Sequence, residues 1–309
     1  CPAPLYHAAP LRFCGVVNSV GGTVILMDRF DAEEALRLIQ EYRVTHSQWV
    51  PTMFVRMLKL PEETRARYDV SSMTHAIHAA APCPPEVKRR MIEWWGPVVH
   101  EYYSATEGMG ITFINSQEAL ERPGSVGRDG LKGIAHICDE EGNEVPTGEI
   151  GTIYWQQDEG TFSYHGDPEK TASVFHPEHP NWSTFGDVGY LDEDRFLYLT
   201  DRKAFTIISG GVNIYPQEIE NALVLHPAVE DVAVIGIPDE EMGERVHAVV
   251  VPAADRAGDP GLADEILGAL RGKISDFKIP RGLDFVDELP RTPTGKLVKR
   301  RIVQQYTSV

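Results

Sequence analysis

The sequence predicts an α/β protein of two domains, and three observations support this prediction. The chain has 309 residues, which corresponds to about two domains of ~150 residues each. Between Val24 and Tyr103, short apolar strands alternate with helical stretches, as in a parallel sheet covered by helices. From about Gly124, the pattern changes to period-two strands separated by turns. We therefore expect a large domain over residues 1–202, with a parallel sheet and a β-rich subdomain, and a small α+β domain over 203–309.

The first half of the chain carries clear helix and strand signals. Asp31 is expected to cap a helix that has Glu34 three residues later and places Leu36, Ile39 and Tyr42 on one face. Strands and helices then alternate. We expect a strand over 44–50, a helix from Thr52, a strand from Thr74, a helix from Pro84 that stops at Gly96, and a strand over 97–104.

The second half reads as hairpins followed by a compact unit. Turn residues at 141–143 and 192–195 separate paired strand-like runs. After the expected boundary at Arg202, the pattern predicts a strand, the Gly210-Gly211 turn and a second strand. A helix over 216–225, two strands, a helix over 263–274 and an irregular tail complete the small domain.

Composition and charge exclude several classes of protein. The formal net charge is −17, from 46 acidic and 29 basic residues, which disfavours binding to nucleic acid or to anionic membranes. The most apolar stretch, Phe13 to Met27, is interrupted by Asn18 and paired glycines, so no transmembrane segment is expected. Four widely spaced cysteines fit neither a metal site nor a disulfide scaffold, and a cytoplasmic location fits best.

Ligands of such sheets bind beyond the carboxyl ends of the strands, where residues 78–83 and 102–108 are expected to lie. In the second segment, Thr106 and Glu107 offer a hydroxyl and a carboxylate, which suit a phosphate oxygen and Mg²⁺. Tyr103 offers a flat face for a base. The alternatives are that Glu107 is an ordinary loop acid and that Tyr103 is a core aromatic.

Three further segments carry candidate residues. Asp187 lies between glycines at a hairpin and could bind both hydroxyls of a ribose, or it could be a turn aspartate. Ser209, Gly210 and Gly211 form a turn that could approach a ligand closely or simply connect two strands. Near the C-terminus, prolines and a glycine present Lys296, which could equally be a solvated surface lysine.

Four motifs together resemble the acyl-CoA synthetase branch of the adenylate-forming superfamily. They are YYSATEG, TFGDVGYLDEDRFLYLTDR, IISGGVNIYPQEIE and PRTPTGK, in the family's order and approximate spacing. The resemblance spans the whole chain and implies a two-step reaction. A carboxylic acid attacks the α-phosphate of Mg-ATP to give acyl-AMP and pyrophosphate, and coenzyme A then attacks the acyl-adenylate.

The resemblance also implies a role for individual residues. For nucleotide binding, Ala79, Ala80 and Ala81 resemble the loop along the adenine pocket, and Tyr103 resembles the aromatic residue that stacks on adenine. Thr106 and Glu107 resemble the pair that binds phosphate and Mg²⁺. Asp187 resembles the acid that binds both ribose hydroxyls, and Arg202 resembles the arginine that also reaches the nucleotide. Catalytic roles fall to Thr106, Glu107 and Lys296, the last of which resembles the lysine that bridges carboxylate and α-phosphate. Ser209 to Gly211 resemble the loop that lines the coenzyme A tunnel.

The sequence also departs from the family pattern. The phosphate loop expected upstream of the first residues is absent, so we expect an incomplete large domain and a chain that is inactive by itself. The hinge is expected at Lys203 and Ala204, where the family usually has an acid or a lysine at the second position.

Two alternative functions remain open at this point. The chain could adenylate an acid and load a carrier protein, or it could be a catalytically silent fragment that binds a nucleotide or acyl group. A fatty or aryl acid is the expected substrate, because no acidic partner for an α-amino group is evident. His7, Trp49 and Met53 are the candidate acyl-pocket residues, and a homodimer is a possible assembly.

Overall fold

The computed structural model describes residues 1–158, 162–202, 205–292 and 297–307. The chain divides into two compact units, which span Cys1–Leu199 and Thr200–Val309. Their boundary lies slightly before the one expected at residue 202. Among the described helices, none has both the length and the apolar composition needed to cross a bilayer.

Over residues 32–103 the helices and strands alternate as the sequence predicts, and further helices and strands form on both sides of this region. The helices are α1 Ala8–Ser19, α2 Ala32–Tyr42, α3 Pro51–Leu58, α4 Glu62–Arg65, α5 Pro85–Trp95, α6 Ser116–Glu121, α7 Pro168–Ser173, α8 Pro216–Leu223, α9 Pro260–Gly268 and α10 Lys299–Thr307. The strands are β1 His46–Trp49, β2 His75–His78, β3 Val99–Tyr103, β4 Ile111–Ile114, β5 Ser125–Lys132, β6 Ile134–Cys138, β7 Gly151–Gln156, β8 Trp182–Leu191, β9 Phe196–Arg202, β10 Ile207–Ser209, β11 Val212–Ile214, β12 Val229–Asp239, β13 Gly243–Pro252 and β14 Gly282–Phe285.

The first unit is built on a nine-stranded sheet with the strand order β1-β2-β3-β4-β5-β9-β8-β7-β6. Strands β1 to β3 run parallel, and β4 joins them antiparallel. His78 of β2 lies opposite Glu101 of β3. The segments that follow these two strands therefore leave the sheet at the same edge. The predicted α/β fold, with a wound part and a β-rich part, is confirmed.

Local signals explain how α2 and α5 begin and end. Asp31 Oδ1 accepts a hydrogen bond from the Glu34 N–H at 2.9 Å, which caps α2. Leu36 and Ile39 are buried as expected. Tyr42 is 52% exposed, because it is the last residue of the helix and lies at the edge of the packed face. Helix α5 ends at Gly96, whose φ of +85° suits glycine.

The second unit has a sheet of five strands, in which β11-β10-β13-β12 are neighbours and β14 pairs parallel with β13. Two predictions for this unit are wrong. Helix α9 ends at Gly268 instead of residue 274, because glycine is a poor helix former and Gly272 adopts a φ of +74°. The supposedly irregular tail forms α10, whose Ile302 is 1% exposed and packs in a core cluster with Ile235.

Candidate active site

Tyr103 and Asp187 meet although 84 residues separate them in sequence. The Tyr103 hydroxyl donates a hydrogen bond of 2.6 Å to Asp187 Oδ2. Tyr103 ends β3, and Asp187 lies in β8 after Gly186, whose φ is +77°. Asp187 is only 9% exposed. A buried carboxylate with a fixed orientation is suited to accept hydrogen bonds from a ligand's hydroxyl groups.

The turn after β3 carries Thr106 and Glu107. Thr106 is exposed and Glu107 is half-buried. Glu107 Oε1 accepts a hydrogen bond of 2.8 Å from the Tyr164 hydroxyl. Burial, together with the bond to Glu107 and its negative charge, raises the pKa of Tyr164 to about 12. Sequence reasoning missed Tyr164, because no local pattern links it to a residue in another segment.

The loop after β2 contains the three predicted alanines. Ala79 is buried, and its N–H donates to the Trp49 carbonyl at 3.3 Å. Ala80 is exposed and adopts a φ of +76°, a left-handed conformation that is uncommon for a residue with a side chain. The loop therefore turns sharply away from the end of β2.

A cluster of three buried polar side chains joins β2, β3 and α5, and sequence reasoning missed it as well. The Lys88 ammonium donates to Glu101 Oε2 and also to the Ser125 carbonyl at 3.3 Å. His78 Nδ1 is 3.8 Å from Glu101 Oε1. Burial lowers the pKa of His78 well below its usual range, and the Lys88 charge adds to this effect. Burial also raises the pKa of Glu101, although Lys88 opposes that shift.

The residues predicted for an acyl pocket lie at the end of β1 and the start of α3, for Trp49 and Met53, and before α1, for His7. Trp49 and Met53 are buried, and the Trp49 ring packs edge-on against Trp95 with centroids 5.5 Å apart. His7 is half-buried at the start of α1, with its ring 4.6 Å from that of Tyr6. Their role in binding an acyl group stays a prediction.

In the second unit, Ser209, Gly210 and Gly211 form the predicted turn between β10 and β11. The two glycines have φ values of +57° and +78°. A Cβ at Gly210 would lie 2.5 Å from Met242 Cε, whereas a Cβ at Gly211 would have no atom within 4 Å. The predicted residues Lys203, Ala204 and Lys296 lie outside the described residues. Arg202 ends β9, and its side chain also lies outside the described part.

The donor set near the turn after β3 fits Mg²⁺. Glu107 and Thr106 supply oxygen atoms, which are the ligands that this cation prefers. Within the described residues, no group of three or more His, Cys, Asp or Glu side chains could hold a metal. A cation here would therefore rest on one carboxylate, nucleotide phosphates and water, an arrangement that is common for Mg²⁺.

The fold is that of an α/β protein of two units, with the candidate nucleotide-site residues of the first unit at the ends of β2 and β3 and within β8. The chain belongs to the AMP-binding enzyme family, whose sequence profile matches residues 1–164. Residues 218–296 match the profile of the AMP-binding enzyme C-terminal domain. The resemblance to adenylate-forming enzymes that the four motifs indicate is thus confirmed.

Curated relatives and solved structures agree with this family. The chain is 33% identical over 308 residues to the long-chain-fatty-acid–CoA ligase of Bacillus subtilis (strain 168), covering 98% of this chain and 53% of the ligase. It is 35% identical over 305 residues to the feruloyl-CoA synthase of an Amycolatopsis species, covering 98% of this chain and 60% of the synthase. The crystal structure of ATP-bound MatB from Rhodopseudomonas palustris superposes with a TM-score of 0.82 at 32% identity, covering 99% of this chain and 59% of MatB. The chain thus spans little more than half the length of these relatives.

Proposed function

We propose that this chain is part of an ATP-dependent acyl-CoA ligase of the AMP-forming type. The observation that carries the proposal is the 2.6 Å hydrogen bond between Tyr103 and Asp187, the two residues that we assign to the base and to the ribose. The names of the two ligase relatives support coenzyme A as the acceptor. The ATP bound to MatB supports ATP as the activating nucleotide.

In the first step, a carboxylate oxygen of the acid attacks the α-phosphorus of ATP, and pyrophosphate leaves. Tyr103 stacks on the adenine while Asp187 accepts hydrogen bonds from the ribose hydroxyls. Thr106 binds a phosphate oxygen, and Glu107 would hold Mg²⁺, which neutralises phosphate charge when bound. Ala79 to Ala81 form the adjacent wall of the nucleotide site, and Arg202 also reaches the nucleotide.

In the second step, the coenzyme A thiol attacks the acyl carbon of the mixed anhydride, and AMP leaves. We assign the pantetheine arm to the turn of Ser209 to Gly211, and the open space next to Gly211 supports this assignment. Lys296 is the proposed catalytic cation of the first step, since neutralising the charge that develops on carboxylate and phosphate oxygens favours the transition state. Lys203 and Ala204 are the proposed hinge between the two steps.

The proposed acid is a fatty or aryl acid, as the names of the two ligase relatives suggest. His7, Trp49 and Met53 are the proposed lining of its pocket. A cytoplasmic location is proposed because all four cysteines have free thiols.

The first experiment measures binding of AMP to the 309-residue chain and its conversion of synthetic acyl-AMP and coenzyme A to thioester. The chain is expected to be inactive in the first step, which uses the triphosphate, but this half-reaction needs none and can be tested on the 309-residue chain. We expect AMP to bind and thioester to form from fatty or aryl adenylates. A chain that neither binds AMP nor forms thioester contradicts the proposal. Thioester formation only when a phosphopantetheine-bearing carrier domain replaces coenzyme A would instead support the carrier-loading alternative.

A further inference from the structure

The Glu107 carboxylate is held by one partner from a distant segment. Its Oε1 accepts the 2.8 Å hydrogen bond from the Tyr164 hydroxyl, across 57 residues of sequence. Among the described residues, Oε2 of the same carboxylate has no hydrogen-bond partner. The turn that carries Glu107 passes through Gly108, whose φ is +68°. Tyr164 therefore restricts the rotation of a side chain that would otherwise sample several rotamers.

Tyr164 is itself anchored to the first turn of α7. Its backbone N–H donates to Thr171 Oγ1 at 2.9 Å, and the Thr171 hydroxyl donates to the Asp167 carbonyl at 2.8 Å. Asp167 caps α7 by accepting a hydrogen bond from the Lys170 N–H at 3.0 Å. The Lys170 ammonium lies 4.2 Å from the centroid of the Tyr164 ring, within cation–π range.

An aromatic contact links Tyr164 to the core of the first unit. The Phe162 ring meets the Tyr164 ring edge to face, with centroids 5.3 Å apart and planes at 89°. Phe162 packs against a buried cluster that includes Met109 and Trp155, and Tyr103 packs against the same cluster. One core therefore supports both the tyrosine at the proposed adenine site and the tyrosine that holds Glu107.

We propose that Tyr164 is a positioning residue that orients Glu107 toward the cation of the nucleotide. This inference rests on the proposed function. The hydroxyl binds Oε1, so Glu107 would offer Oε2 to a metal ion and neutralise part of its charge. Orientation matters here because Mg²⁺ demands near-octahedral geometry, whereas a freely rotating carboxylate loses rotamer entropy on binding.

The test compares ATP affinity with EDTA and with Mg²⁺, measured by calorimetry on the 309-residue chain. The ratio of the two affinities reports the contribution of the metal. In Tyr164→Phe we expect this ratio to fall by about 10-fold, the low end of the effect of losing a residue that orients a metal ligand. The ATP affinity in EDTA should stay unchanged, because the phenyl ring and its packing remain.

The matched control is Tyr68→Phe, which removes a tyrosine–glutamate bond of the same 2.8 Å length, to Glu33 in the same unit. It should leave both affinities unchanged. Glu107→Gln should lower the ratio as well, and adding Tyr164→Phe to it should cause no further loss, because the hydroxyl acts through the carboxylate.

Three outcomes overturn the inference: an unchanged ratio in Tyr164→Phe, a loss of ATP affinity in EDTA as large as the loss in Mg²⁺, or additive losses in the double variant. If the wild-type chain binds ATP neither with EDTA nor with Mg²⁺, the proposed function itself is contradicted. This result differs from the three outcomes above, which all require that the wild-type chain binds ATP.

Discussion

Tyr103 and Asp187 form a hydrogen bond of 2.6 Å between the end of β3 and the middle of β8. The Tyr103 ring also contacts Phe185 edge to face, with centroids 6.1 Å apart. The aromatic face and the carboxylate are thus held in one orientation before any ligand arrives. Such preorganisation lowers the conformational entropy that binding would cost.

We expect Asp187→Ala to weaken AMP binding far more than coenzyme A binding. The variant loses hydrogen bonds to a charged acceptor, each worth about 1.5–3 kcal/mol. Tyr103→Phe, which keeps the ring, should weaken AMP binding less. Calorimetric titration with AMP and with coenzyme A measures both effects, and equal losses for the two ligands would refute the ribose assignment.

We expect Lys88→Met to destabilise the first unit by roughly 3–5 kcal/mol, because it leaves the buried Glu101 carboxylate without its cation. The double variant Lys88→Met with Glu101→Leu should regain most of this loss, since an apolar pair of similar volume carries no unpaired charge. Denaturant unfolding gives the free energies.

The matched control for Lys88 is its neighbour Arg89, which forms exposed ion pairs with Glu86 and Glu93. Arg89→Met should cost less than about 1 kcal/mol. If Lys88→Met costs no more than Arg89→Met, the buried pair contributes little to stability.

The low pKa of buried His78 predicts a pH dependence of stability. Below its ordinary pKa of 6.5, the unfolded chain binds a proton at this site that the folded chain does not. The free energy of unfolding therefore falls as the pH is lowered from 6.5 toward the folded pKa, by at most about 1.4 kcal/mol per pH unit from this group. His78→Leu should reduce the slope measured between pH 7 and pH 5, and a slope equal to that of the wild type would contradict the assignment.

We expect Gly211→Leu to slow thioester formation from acyl-AMP while AMP affinity is retained. The side chain would enter the open space proposed for the pantetheine arm. Gly211→Ala is the control, because it introduces the same left-handed strain, about 1–2 kcal/mol, with a much smaller side chain. Equal rates for the two variants would show that backbone strain, and not occlusion, causes the effect.

Much of the fold followed from signals that act over a few residues. The cap at Asp31, the glycine stop at Gly96 and the turn at Gly210 and Gly211 were predicted at or next to their observed positions. These features depend on hydrogen bonds and backbone angles of neighbouring residues, which the order of residue types largely determines. The tail was wrongly expected to be irregular, because α10 is stabilised by the packing of Ile302 against distant strands.

For the site, sequence alone selected Tyr103, Asp187 and Glu107 as candidates from their motifs and from their places after strands. Tertiary structure decided their partners, since Asp187 meets Tyr103 and Glu107 meets Tyr164, and it also formed the pair of Glu101 and Lys88, which the sequence did not indicate. These partners lie 84, 57 and 13 residues away. Sheet order and loop packing bring them together, and no periodicity within a single segment encodes such contacts. The local sequence therefore determined the helices, the strands and the functional groups available, whereas strand order and the packing of loops and helices on the sheet decided which groups orient one another.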